Sequence, residues 1–65
     1  MEVATVKADK NQLESVGIDY EITNLQGKVK GYYPSGYVQV EITHTWEGMD
    51  FTNDFDIPKW WLEIK

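Results

Sequence analysis

The ten residues Tyr37 to Trp46, Tyr-Val-Gln-Val-Glu-Ile-Thr-His-Thr-Trp, constrain this chain more than any other stretch. Side chains on a strand alternate between two faces. That period puts Val38, Val40, Ile42, His44 and Trp46 on one face and Tyr37, Gln39, Glu41, Thr43 and Thr45 on the other. The first set is a core face and the second can meet water. Pro34-Ser35-Gly36 before it and Glu47-Gly48 after it are turn sequences. A long, one-sided strand between two turns needs neighbours in a sheet, so the expected class is all-β.

The remaining elements are shorter. Residues 2–8 are rich in β-branched side chains and form an expected first strand. Residues 9–17 differ: Asn11 and Glu14 have capping-box spacing, and Gly17 can end a helix, so one or two helical turns are expected. Ile18, Tyr20 and Ile22 alternate in a third candidate segment. In Gly27 to Tyr33, Val29 is expected inward, with Lys28 and Lys30 outward. After Glu47-Gly48, Met49 and Phe51 suggest a short strand, residues 55–58 a bend, and Trp60 to Ile64 a last strand. Residues 1–65 thus form one domain, expected to be a small five-stranded SH3-like barrel with a long first loop. Closing such strands on themselves would remove exposed edges.

A chain of 65 residues has a thin core, and no cysteine reinforces it. Nine aromatic residues carry much of the packing. The net charge is -5, and every cationic side chain is lysine. Between Gly31 and Pro58 lie Glu41, Glu47, Asp50, Asp54 and Asp56 without one lysine. An acidic half repels phosphate, so direct binding of nucleic acid is not expected, and a protein partner with a basic surface is. No apolar run approaches the roughly 20 residues of a membrane span. The N-terminus lacks a basic and apolar leader, so a complete, soluble, cytoplasmic protein is expected.

Catalytic signals are weak. His44, the one histidine, has no cysteine partner, and Ser15 and Ser35 stand in loops without a motif. Its place on the core face favours a structural role. Asp50 to Asp56 offers oxygens at alternate positions, as a calcium loop does. Phe55 stands where such a loop needs glycine, however, and Trp61 where it needs glutamate. No enzyme activity, cofactor or metal is expected. Trp60 and Trp61 are more informative, because adjacent strand residues face opposite ways and one indole should be exposed. Tyr33 and Tyr37 flank the nearby turn. Trp and Tyr are typical interface anchors. The expected partner-binding set is Tyr33, Tyr37, Trp60 and Trp61 with the five carboxylates Glu41, Glu47, Asp50, Asp54 and Asp56.

Gly31-Tyr32-Tyr33-Pro34-Ser35-Gly36-Tyr37-Val38 resembles the Gly-x-x-Pro-x-x-Tyr-Val signature of peptide-binding SH3 domains. In those domains the tryptophan pair precedes the signature, whereas Trp60-Trp61 follows it here, so the stretch reads instead as a hairpin. Tyr20 to Val29, with its loop leading into Gly27-Lys28-Val29, and Asp54 to Ile64, with its closing turn, resemble small bacterial and plastid SH3-like barrels. The variable subunit of ferredoxin–thioredoxin reductase is the nearer comparison, and the barrel-like subunit of photosystem I the more distant. The resemblance implies a non-catalytic accessory subunit that packs on a larger protein, a redox enzyme in the nearer case. Acidity and size fit a second expectation: a small phage-type inhibitor that imitates nucleic-acid charge to block an enzyme.

Overall fold

A computed structural model describes residues 2–65. Five strands, β1 (Val3–Val6), β2 (Gln26–Tyr32), β3 (Tyr37–Trp46), β4 (Met49–Pro58) and β5 (Leu62–Ile64), form one antiparallel sheet in the order β4-β3-β2-β1-β5. One short helix, α1 (Lys10–Ser15), lies between β1 and β2, and a 3₁₀ turn, Lys59–Trp61, precedes β5. The chain is thus mostly β. Its sheet is not closed by hydrogen bonds, since β4 and β5 remain at the two edges.

The long alternating strand lies where its periodicity puts it. Val38, Val40, Ile42 and His44 are buried, and β4 pairs with β3 at ten consecutive positions, from Tyr37 opposite Pro58 to Trp46 opposite Met49. A two-residue turn, Glu47-Gly48 with positive φ at both, joins them. The expected short strand at Met49 and bend at residues 55–58 are therefore corrected to a single ten-residue strand. Asp and Asn weaken the strand signal of residues 50–54, but pairing along all of β3 overrides that local preference.

The N-cap of helix α1 is Asp9 rather than Asn11. The Asp9 carboxylate accepts from the Gln12 backbone N–H at 2.8 Å, and the Gln12 side chain accepts from the Asp9 N–H at 2.9 Å. The capping box is the one expected in kind but two residues earlier. Leu13 decides between the two, because it is the only buried residue of α1 and must face the sheet. The helix ends as Gly17 N–H bonds the Glu14 carbonyl and Ile18 N–H bonds that of Leu13, which brings Ile18 onto Leu13. Residues 18–25 are not a strand. Ile18 and Ile22 are buried while Tyr20 is exposed, and the segment is tied to β1 by bonds from Val6 N–H to Leu25 O and from Asn24 N–H to Val6 O.

The core forms where these parts meet. Ala4 and Val6 of β1, Leu13, Ile18 and Ile22 of the first connection, and Val38, Val40, Ile42, Phe55 and Ile57 of the β3–β4 hairpin pack into one cluster. Strand β2 joins its two sides, pairing with β1 through residues 26–28 and with β3 through residues 28–32, with a register shift between Val29 and Gly31. At the β2–β3 turn, Gly36 has φ +94°. A β-carbon there would also come within 3.2 Å of the Trp60 ring. Gly36→Val should therefore lower stability by about 2 kcal/mol through backbone strain. Urea melts of the two proteins that coincide would show that the turn relaxes freely.

Candidate functional site

The expected site residues separate into two groups. In the first, Tyr33, Tyr37 and Asp56 line an open depression of about 460 Å³ together with Ser15, Val16 and Ser35. The β2–β3 turn positions them: Tyr33 N–H bonds the Tyr37 carbonyl at 2.8 Å, and Asp56 lies opposite Gln39 on the outer face of the hairpin. Trp60 rests against Gly36 of the same turn and is 70% exposed. Trp61 is half-buried and packs against the core. The two indoles differ in exposure, but a 3₁₀ turn presents them, so strand alternation is not the cause.

The second group lies on the outer face of the β3–β4 hairpin. Asp54 faces Glu41 across the ladder, Asp50 faces Thr45, and Glu47 stands in the turn. Thr45 Oγ donates to the Asp50 carboxylate at 2.7 Å, and Thr43 and Thr52 bond each other at 2.9 Å. The segment from residue 31 to 58 has no lysine of its own, but the fold brings one from β2. Lys30 Nζ lies 3.4 Å from Glu41 Oε2. Both groups are partly exposed, so this pair contributes little to stability. It does reduce the negative charge at one end of the face.

The Tyr33 hydroxyl is held above the ordinary tyrosine value. Partial desolvation is the main cause, followed by the Asp56 carboxylate beside it and the charge of Asp54. Tyr32 is also raised, first because its hydroxyl donates to Glu2 Oε2 at 2.9 Å, then by desolvation and the Glu2 charge. A raised folded-state value keeps the proton on the native protein. The associated stability is thus complete below the unfolded tyrosine value of about 10 and lost as pH rises through the folded one. An NMR titration of the tyrosine ring carbons should find both phenols titrating late. Glu2→Gln should bring Tyr32 down and leave Tyr33 in place, and Asp56→Asn should do the reverse. Titration of Tyr32 and Tyr33 at the ordinary tyrosine value in the wild type would contradict both contacts.

His44 is 5% exposed, and its Nε2 lies 2.9 Å from Asn53 Oδ1. Tyr20, Phe51 and Phe55 surround the ring. These contacts pack the ring on three sides and hold Nε2 to Asn53.

One surface was missed by sequence reasoning. Trp46 has core-face parity, yet it is 63% exposed, and Met49 opposite it is 62% exposed. Phe51 and Tyr20 extend the same apolar area towards His44. The cause is the reach of β2, whose pairing with β3 ends at Glu41. Beyond that residue the hairpin runs on with β4 alone; Ile42 and His44 stay buried, and the inner face becomes exposed at Phe51, Trp46 and Met49. No family model, curated protein or solved structure matches the chain.

Proposed function

We propose that this protein is a non-catalytic accessory or binding subunit that docks on a larger protein, and that its sheet is an SH3-like barrel left open between β4 and β5. The observation that carries the docking reading is Trp60. An indole that exposed, resting against Gly36 of the turn that Tyr33 and Tyr37 flank, is an anchor in search of a cover. The strand order and the 3₁₀ turn before β5 support the barrel reading. The resemblance to the reductase subunit makes a cytoplasmic redox enzyme the partner of first choice, with its contact surface basic.

The experiment starts with affinity capture from the native host by the wild-type chain and identification of what is retained. The purified partner is then titrated with two variants. Trp60→Ala should melt like the wild type and bind about 2 kcal/mol more weakly. Trp61→Ala should melt earlier, because its ring packs on the core. Equal binding by Trp60→Ala and wild type would reject the anchor.

A second reading draws on the outer face. Asp54 and Asp56 stand two residues apart on one strand face, about 7 Å along it, and Asp50 continues the row. Such a row can imitate nucleic-acid charge and block an enzyme that binds it. Affinity for the captured partner distinguishes the two readings: a charge mimic weakens steeply with salt, whereas an aromatic dock changes little.

A further inference from the structure

Strand β4 leaves one whole side of its backbone unused. It pairs with β3 at ten positions without a break, and among the described residues no other backbone group bonds to it. Sheet proteins usually blunt such an edge with a short strand, a lysine, a proline or a bulge. Here the strand is long, holds no lysine, keeps register throughout, and has its proline only at the end, at Pro58.

The two faces beside that edge differ sharply. Asp50, Thr52, Asp54 and Asp56 point outward, whereas Met49, Phe51, Asn53 and Phe55 share the inner face. At the hairpin tip the inner face continues into exposed Trp46, an apolar shelf with no cover. A strand added to this edge would meet carboxylates with every second side chain and apolar surface with those between.

We infer that the free edge of β4 takes an extended segment of another protein as a sixth strand, with Lys or Arg at alternate positions and apolar residues between them. Main-chain hydrogen bonds supply affinity in this mode, and the alternating side chains supply register and choice. A second copy of this chain is the wrong occupant. Pairing β4 with itself would set Asp50, Asp54 and Asp56 of two molecules on one face, each molecule already carrying a charge of -5. Like charges directly opposite destabilise a strand pair. The inference rests on the docking reading but uses different atoms from the Trp60 corner.

The test uses the full chain and three synthetic peptides of the length of β4. One alternates Lys and Val; the second has the same composition in two blocks. The third is the alternating peptide N-methylated at every second residue, on the side that would face β4. Backbone NMR shifts and amide exchange report where each binds. The alternating peptide should shift resonances of residues 49–57 and slow exchange of every second amide there. Blocking or N-methylation should weaken it by about tenfold, the equivalent of 1.4 kcal/mol. Asp54→Lys, on an exposed site, should weaken it by about fivefold, with melting unchanged. Trp60→Ala should bind this peptide as the wild type does, even where it has lost the larger partner. An alternating peptide that fails to bind overturns the inference, as does one indifferent to N-methylation or one that shifts only the Tyr33–Trp60 corner. The last result would leave the docking reading standing.

Discussion

Replacing Gly27 by alanine should destabilise the protein by about 3 kcal/mol or more, at the upper end of overpacking costs. The added β-carbon would stand 2.5 Å from Val40 Cγ1, 2.6 Å from Ile42 Cγ1 and 2.6 Å from the carbonyl oxygen of Glu41. The two side chains could turn aside only by leaving their places in the core. The carbonyl belongs to the β3 backbone, so relief there means moving β2 away from β3. That is costly because Gly27 lies where β2 passes from one partner strand to the other, and a shift disturbs both ladders. A domain of this length is stable by only roughly 3–10 kcal/mol. Urea unfolding followed by tryptophan fluorescence measures the loss. A loss below about 1 kcal/mol would show that β2 bends more freely than this packing implies.

The second large effect belongs to Leu13. Leu13→Ala should cost about 3 kcal/mol, the middle of the range for a buried leucine. It should also do something a β-strand substitution does not. Six residues cannot hold a helix alone, and Leu13 is the only one of them buried in the core. The amides of α1 should therefore lose protection from exchange before those of β3. Uniform loss across α1 and β3 would mean that the helix and the sheet open as one unit.

Much of the fold was legible, for identifiable reasons. Strand β3 could be read because its apolar and polar residues alternate from Val38 to Thr43. The ends of α1 were legible in kind, since Asp9, Gln12 and Gly17 are capping residues, but two overlapping boxes compete in Asp9-Lys-Asn-Gln-Leu-Glu and only the burial of Leu13 selects one. Ile18, Tyr20 and Ile22 alternate as a strand would, yet no neighbouring strand is available to them. Periodicity reports which residues can share a face and says nothing of what covers it. The same limit hid the hairpin tip. Trp46 has the parity of a core residue, and only the length of β2 shows that its neighbours have ended. For Trp60 and Trp61 the sequence led only to the expectation that one indole is exposed; which one depends on the 3₁₀ turn at Lys59–Trp61, which strand alternation does not describe.

The pairing of β1 with β5 has a mechanical consequence. Val3 and Lys65 exchange both backbone hydrogen bonds, and the ladder runs from there to Val6 opposite Leu62. Tension applied through residues 3 and 65 therefore meets this ladder at its end. Its bonds break one after another, as in a zipper, instead of sharing the load as they would in shear. A weak pull should strip β5 from β1 while the β3–β4 hairpin, off the line of force, holds its shape. Held between two anchored neighbours, this protein would yield early and at low force, and would close again once the pull is released.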